Sequence, residues 1–124
     1  HGINDENVFC YKATCYETAI QLAKRFKLKE EDYTVDFQSR LGRGWIEPFS
    51  DEIIVDLAKN GAKKLLVFSP AFVADCLETI IEIGDEYQEL FEEHGGEKVQ
   101  LVESLNSSDT FVHGLKAMIL KRSL

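Results

Sequence analysis

Residues 64–102 read KLLVFSPAFVADCLETIIEIGDEYQELFEEHGGEKVQLV, and this stretch decides the fold. Lys64 to Phe68 is a short apolar run closed by Ser69-Pro70, the pattern of a buried strand. A helical pattern follows from about Val73 to His94, weakened at Gly84 and stopped at Gly95-Gly96. Val99 to Val102 is the next β-branched, apolar run. Two strands joined by a crossover helix of this length form a right-handed βαβ unit, so the strands are expected to be parallel.

The pattern continues on both sides. Upstream, residues 12–27 place Cys15, Ala19, Leu22, Ala23 and Phe26 on one helical face. After the polar break Lys29-Glu30-Glu31-Asp32, the run Tyr33 to Gln38 reads as a strand. Ser39 to Phe49 carries Gly42, Gly44 and Pro48 beside Trp45, Ile46 and Phe49. A loop of this length with a Trp in it points to function. Ser50 is a suitable N-cap for a helix that turns Ile53, Ile54, Leu57 and Ala58 inward and ends at Gly61. Downstream, Ser108 or Asp109 caps a last helix with Phe111, Leu115, Met118 and Ile119 expected inward. Strands alternating with helices predict an α/β, Rossmann-like parallel sheet with helices on both faces. Three strands are read directly, and one more is expected just upstream, making three to four. A site belongs at the carboxyl ends of the strands, here Gln38-Ser39-Arg40, Ser69 to Phe72 and Glu103 to Asn106.

Composition narrows the function. The 124 residues are 44% hydrophobic and 29% charged, an ordinary globular balance of one-domain size. The net charge of −8 disfavours nucleic acid and anionic membrane surfaces and suits the passage of cations. Apolar runs are too short to span a bilayer, and no secretory leader opens the sequence. Nothing in the chain supports peripheral membrane attachment. Cys10, Cys15 and Cys76 are odd in number and lack a C-x-x-C, so reduced thiols and a cytoplasmic setting are expected. With no cysteine beyond Cys76, no iron–sulfur cluster is expected near the C-terminus. Nucleotide-binding and nucleophile motifs are absent.

The chemistry-bearing residues are acidic. Asp75, Glu78, Glu82 and Glu86 are spaced to share an arc of roughly 80° on an ideal helix. Such a row is also what a solvated face looks like. Its position just past a strand end favours a path for a divalent cation, whose first members bind metal or accept protons. His1 is the other candidate ligand. His94, at a helix C-terminus, reads as structural, and His113 as exposed. Cys76 reads as an inert buried thiol, with a thiolate ligand beside Glu78 as the alternative.

Two long motifs resemble the ferrochelatase family. Phe37-Gln38-Ser39-Arg40-Leu41-Gly42 followed by Trp45-Ile46-Glu47-Pro48 is similar to the pattern F-Q-S-[RK]-x-G…W-L-x-P. Pro70 to Ile83 resembles the bacterial D-C-L-E-T-L-x-E-I signature. His1-Gly2-Ile3, His94-Gly95-Gly96 and Ser104-Leu105-Asn106 match shorter landmarks in the same order. The resemblance covers nearly the whole chain and implies a chelatase-like fold, with residues 1–124 forming the C-terminal chelatase domain and an N-terminal domain lying outside this chain. It implies insertion of Fe²⁺ into protoporphyrin IX, with Fe²⁺ as substrate and no permanently bound cofactor. It further implies His1 and Glu78 as the catalytic, metal-binding pair, Asp75 and Glu82 as a metal or proton path, and Gln38, Ser39, Arg40 and Trp45 as the porphyrin-lining segment. His1 is expected to accept protons and Glu78 to hold metal. Two departures stand out: Asn4 replaces the usual Pro, and the family's longer stretch before the first helix is nearly missing. The competing readings are a related chelatase for cobalt or coproporphyrin, and a non-catalytic metal- or porphyrin-binding module.

Overall fold

A computed structural model describes residues 4 and 6–122. Its elements run α1 (Tyr11–Phe26), a 3₁₀ turn (Glu30–Asp32), α2 (Ser50–Lys59), β1 (Lys64–Val67), α3 (Leu77–Ile80), a π-helical turn (Glu82–Glu86), α4 (Tyr87–Glu93), β2 (Lys98–Leu101) and α5 (Asp109–Arg122). β1 and β2 pair in parallel, with Lys64 opposite Lys98 and Val67 opposite Leu101. The βαβ unit is therefore as expected, and the architecture is mixed α/β.

The core follows from alternation along the strands. Leu65, Val67, Val99 and Leu101 turn to one side, where α2 and α4 supply Ile54, Ala58, Tyr87 and Phe91, and the π turn supplies Ile83. Phe91 is wholly inaccessible and Ile83 nearly so. Gly61, at φ 92°, ends α2 as its sequence position suggests, and the turn closes through the Ala62 amide on Leu57.

Several expectations are corrected. Among the described residues the sheet has two strands, not the three read directly from the sequence; the further strand is expected upstream of residue 1. Among the described residues Tyr33–Gln38 forms no strand: the ladder contact it makes there is a single parallel bridge, Phe37 to Phe49. There the Phe37 amide donates to the Pro48 carbonyl, and the Ser50 amide to the Phe37 carbonyl. The segment spends its hydrogen bonds on the following loop instead of on β1. Among the described residues helices do not cover both faces of the sheet either, since Leu66 on the opposite side is 72% exposed. No residue of α5 is buried, so the stripe expected to face inward lies open, with Met118 58% exposed. Ser50 begins α2 instead of capping it, because its hydroxyl donates to the half-buried Asp36 carboxylate. No helix among the described residues is long and apolar enough to cross a membrane.

The largest departure concerns the helix expected from Val73. It starts four residues later, at Leu77, because Asp75 is held elsewhere. The Asp75 carboxylate accepts from the Ser104 amide at 3.2 Å and from Asn106 Nδ2 at 2.8 Å, and the Asp75 amide donates to Asn106 Oδ1 at 2.9 Å. Thr79 then caps the new start through its hydroxyl, which accepts from the Cys76 amide at 3.0 Å. Downstream, the π turn adds a residue to the helical repeat, with the Glu86 amide reaching back to the Ile81 carbonyl. Asp75, Glu78, Glu82 and Glu86 therefore do not share one face of a regular helix. One lies before it, and the last two sit in a wider turn.

Candidate functional site

The expected strand ends do converge, through side chains. Ser69, just past β1, donates its hydroxyl to Gln38 Oε1 at 2.8 Å. Gln38 Nε2 donates to the Glu78 carbonyl at 2.7 Å and to Glu82 Oε2 at 3.2 Å. The Gln38 carbonyl accepts from the Trp45 indole at 3.0 Å. One glutamine thus joins the end of β1, the start of α3, the π turn and the glycine-rich loop.

Ser39 reinforces that junction. It adopts a left-handed conformation at φ 59°, uncommon for a residue with a side chain. This turns its amide to Glu82 Oε1 at 2.7 Å and its hydroxyl to Glu82 Oε2 at 2.5 Å. The Tyr87 hydroxyl adds a further donor to Oε1 at 2.8 Å. Burial, then the hydrogen bond and charge of Glu82, push the Tyr87 phenol far above its usual range, with the charges of Asp51 and Asp36 adding to the effect. Tyr87 is therefore a donor at every working pH. The Glu82 carboxylate, acceptor-only when ionised, is filled by donors on both oxygens.

An open concavity of about 660 Å³ lies beyond this junction, lined by Arg40 to Trp45 with Glu47 and Phe49. The Arg40 guanidinium lies 4.2 Å from the Phe49 ring centroid and pairs with Asp51 at 3.2 Å and Glu52 at 3.3 Å. The indole edge of Trp45, fixed on Gln38, forms part of the wall. The Lys12 ammonium of α1 ties the far end of the loop through the Glu47 carbonyl at 2.7 Å.

The acidic residues differ in their surroundings. Glu78 is exposed on the first turn of α3. The Cys76 thiol and its own backbone amide hold its carboxyl below the usual range, so it is anionic at neutral pH. Asn106, and next to it the Ser104 amide, hold Asp75 low as well, so it is also charged, but its oxygens are engaged in joining the loop before α3 to the turn after β2. Asp36 behaves oppositely: burial raises its pKa against the lowering effect of the Ser50 hydroxyl.

Of the residues expected to line the porphyrin, Arg40 and Trp45 face the concavity, while Gln38 and Ser39 hold it from behind. Asp75, Glu78 and Glu82 do not line it. His1 lies outside the described residues. Among the described residues no three His, Cys, Asp or Glu side chains converge as a metal cage. His94 packs structurally as expected, its Nδ1 2.9 Å from the Leu90 carbonyl, and His113 is exposed. Cys10, Cys15 and Cys76 are free thiols, Cys76 half-buried instead of sealed in the core. Arg43 of the lining was not anticipated, and Phe49 was read only as part of the loop 39–49. The Gly42-Arg43-Gly44 triplet was the available signal for the first, because flanking glycines expose a side chain between them. Tyr87 was also missed. It follows Glu82 by five residues, a spacing that meets only across a π turn.

Comparison with known proteins identifies the family. The sequence model of the family described as Ferrochelatase matches residues 1–123. A ferrochelatase of Coxiella burnetii (strain Dugway 5J108-111) is 45% identical over 123 residues, covering 98% of this chain and 34% of the relative. One from Ectopseudomonas mendocina is 51% identical over 110 residues, covering 88% and 32%, and one from Legionella pneumophila (strain Lens) is 42% identical over 118 residues, covering 94% and 36%. The chain thus spans about a third of the length of the curated relatives it matches. With the motif-bearing segments 37–48 and 70–83 joined through Gln38 and the match extending over almost every residue, the chain belongs to the ferrochelatase family.

Proposed function

We propose that the complete protein carrying this sequence inserts Fe²⁺ into protoporphyrin IX, releasing two protons to give protohaem, and that residues 1–124 form its C-terminal chelatase domain. The observation that carries this reading is Gln38. It fixes the indole wall of an open concavity through its carbonyl and the acid-bearing segment 78–82 through its amide. A flat macrocycle needs an apolar and aromatic wall, and its metal needs hard anionic ligands close by. Trp45 and Phe49 supply the first, and Arg43 sets cationic charge beside them, opposite in sign to tetrapyrrole carboxylates, while Arg40 is already paired with Asp51 and Glu52.

In this reading Fe²⁺ is a substrate, and no resident cofactor is required. Glu78 offers an exposed carboxylate, anionic at neutral pH, as the metal ligand. His1, as a neutral imidazole, accepts the pyrrole protons that must leave as the dication enters. Asp75 and Glu82 contribute negative charge along the approach while their oxygens stay hydrogen-bonded. Binding that bends the macrocycle exposes its nitrogen lone pairs, and the loop wall is the element that would hold that shape.

The test is anaerobic metallation of protoporphyrin followed by absorbance, using the complete protein, Glu78→Gln and His1→Ala. Each substitution is expected to lower kcat/KM by roughly a hundredfold or more, while porphyrin still binds. Metallation at the parent rate by both variants refutes the assigned roles, and binding without metallation by the parent protein points to a non-catalytic porphyrin-binding module.

A further inference from the structure

Two features of Glu82 call for explanation. It does not line the concavity, and its oxygens collect donors from Ser39 (twice), Gln38 and Tyr87. A carboxylate serving only as a relay for cations would leave lone pairs open. Here they close on a segment 43 residues away whose next member, Arg40, lines the cleft and whose Gln38 carbonyl holds Trp45. The left-handed turn at Ser39 is what brings both of its donors to one carboxylate, and that conformation is unfavourable for a serine unless something holds it.

We propose that Tyr87 and Glu82 are positioning residues. Tyr87 orients the Glu82 carboxylate, Glu82 holds the Ser39 turn, and the turn seats the Gln38–Trp45 wall against which the porphyrin lies. This rests on reading the concavity as the porphyrin cleft. The π turn makes the arrangement possible by bringing a tyrosine five residues downstream onto the carboxylate while its ring stays in the core beside Ile83 and Phe91. The role differs from that of a metal carrier and predicts a different kinetic signature. Loss of the latch weakens binding of the macrocycle, not of the ion.

The deciding variant is Tyr87→Phe in the complete protein, which keeps the buried ring and removes only the hydroxyl. Its KM for porphyrin, and its equilibrium affinity for protoporphyrin without metal, are expected to weaken about fivefold, as a lost charged hydrogen bond only partly transmitted to the wall would produce. KM for Fe²⁺ and kcat are expected to stay within about twofold. Backbone amide exchange across residues 38–45 is expected to quicken while that of β1 and β2 does not change. Ser39→Ala, which keeps the amide donor and loses the hydroxyl, is expected to show the same split more weakly. Glu82→Gln removes charge as well as latch strength and is expected to raise both KM values. Unchanged exchange at 38–45 in Tyr87→Phe overturns the proposal, as does a defect confined to the KM for Fe²⁺. The exchange measurement needs no porphyrin, so it decides the latch even if the parent protein fails to metallate.

Discussion

Gly96→Ala places a methyl carbon inside the space of the Phe91 ring, where the nearest atoms would be Cδ1, Cε1 and Cγ. Ordinary carbon–carbon contacts lie near 3.5–4.0 Å, so the ring must move by about an ångström or more. It has nowhere to go. Phe91 is 0% exposed, and Ile83 and Val99 beside it are nearly as inaccessible. The backbone is no freer, because the Gly96 amide donates to the Phe91 carbonyl at 2.8 Å and the Glu97 and Lys98 amides both donate to the Lys63 carbonyl. Overpacking a tight core costs about 1–3 kcal/mol, and the lack of any slack puts this site near the upper end. In the complete protein, roughly three times this length if it matches its relatives, that corresponds to a fall in Tm of roughly 4 °C. Scanning calorimetry of the complete protein measures it, with Gly84→Ala as the control. A methyl group at Gly84 meets only the Thr79 carbonyl, at 3.9 Å, so no comparable loss is expected. Phe91→Leu combined with Gly96→Ala should recover part of the loss, a coupling of about 1 kcal/mol or more for side chains in contact. A Gly96→Ala protein that melts with its parent, or strict additivity in the double variant, would refute the packing argument.

Two further outcomes follow from the same structure. The raised pKa of Asp36 means that the unfolded chain ionises first as pH rises; its contribution to stability is present below the ordinary aspartate value of 3.8 and is lost as pH climbs through the raised folded value. Asp36→Asn, which still accepts from Ser50, should remove that decline and gain stability at pH 7 relative to its parent, as read from denaturant midpoints across the acid range. The 124-residue chain on its own exposes Phe9, Phe26 and Met118, so it is expected to self-associate and bind an apolar dye while forming little or no metalloporphyrin; monomeric behaviour with full turnover would contradict this.

Local signals were legible where a residue's partner lay nearby in sequence. Gly61 and Gly95-Gly96 end helices as positioned, and both strands of the βαβ unit appear within a residue of their expected limits. Reading failed where the partner was distant. Nothing in Val73–Cys76 signals that Asp75 will bind Ser104 and Asn106 and hold the chain out of a helix. The β-rich run Tyr33–Gln38 has strand propensity but no neighbouring ladder, and propensity measures fit to a sheet surface more than backbone preference. The structure brings Gln38, Ser39, Trp45, Glu78 and Glu82 of the two motif segments together. Their division into cleft lining, junction and charge required coordinates, because a π turn and a left-handed serine leave no periodic trace.

The junction at Gln38 also limits what evolution can do with that position. Its side chain must accept from a hydroxyl at one atom and donate to two oxygens at the other, at full glutamine length. Asparagine falls short by a methylene, glutamate sets a second anion against Glu82, and methionine offers neither function. No other side chain of the twenty combines that reach with both functions, so any change at this position disturbs the aromatic wall and the acidic turn together.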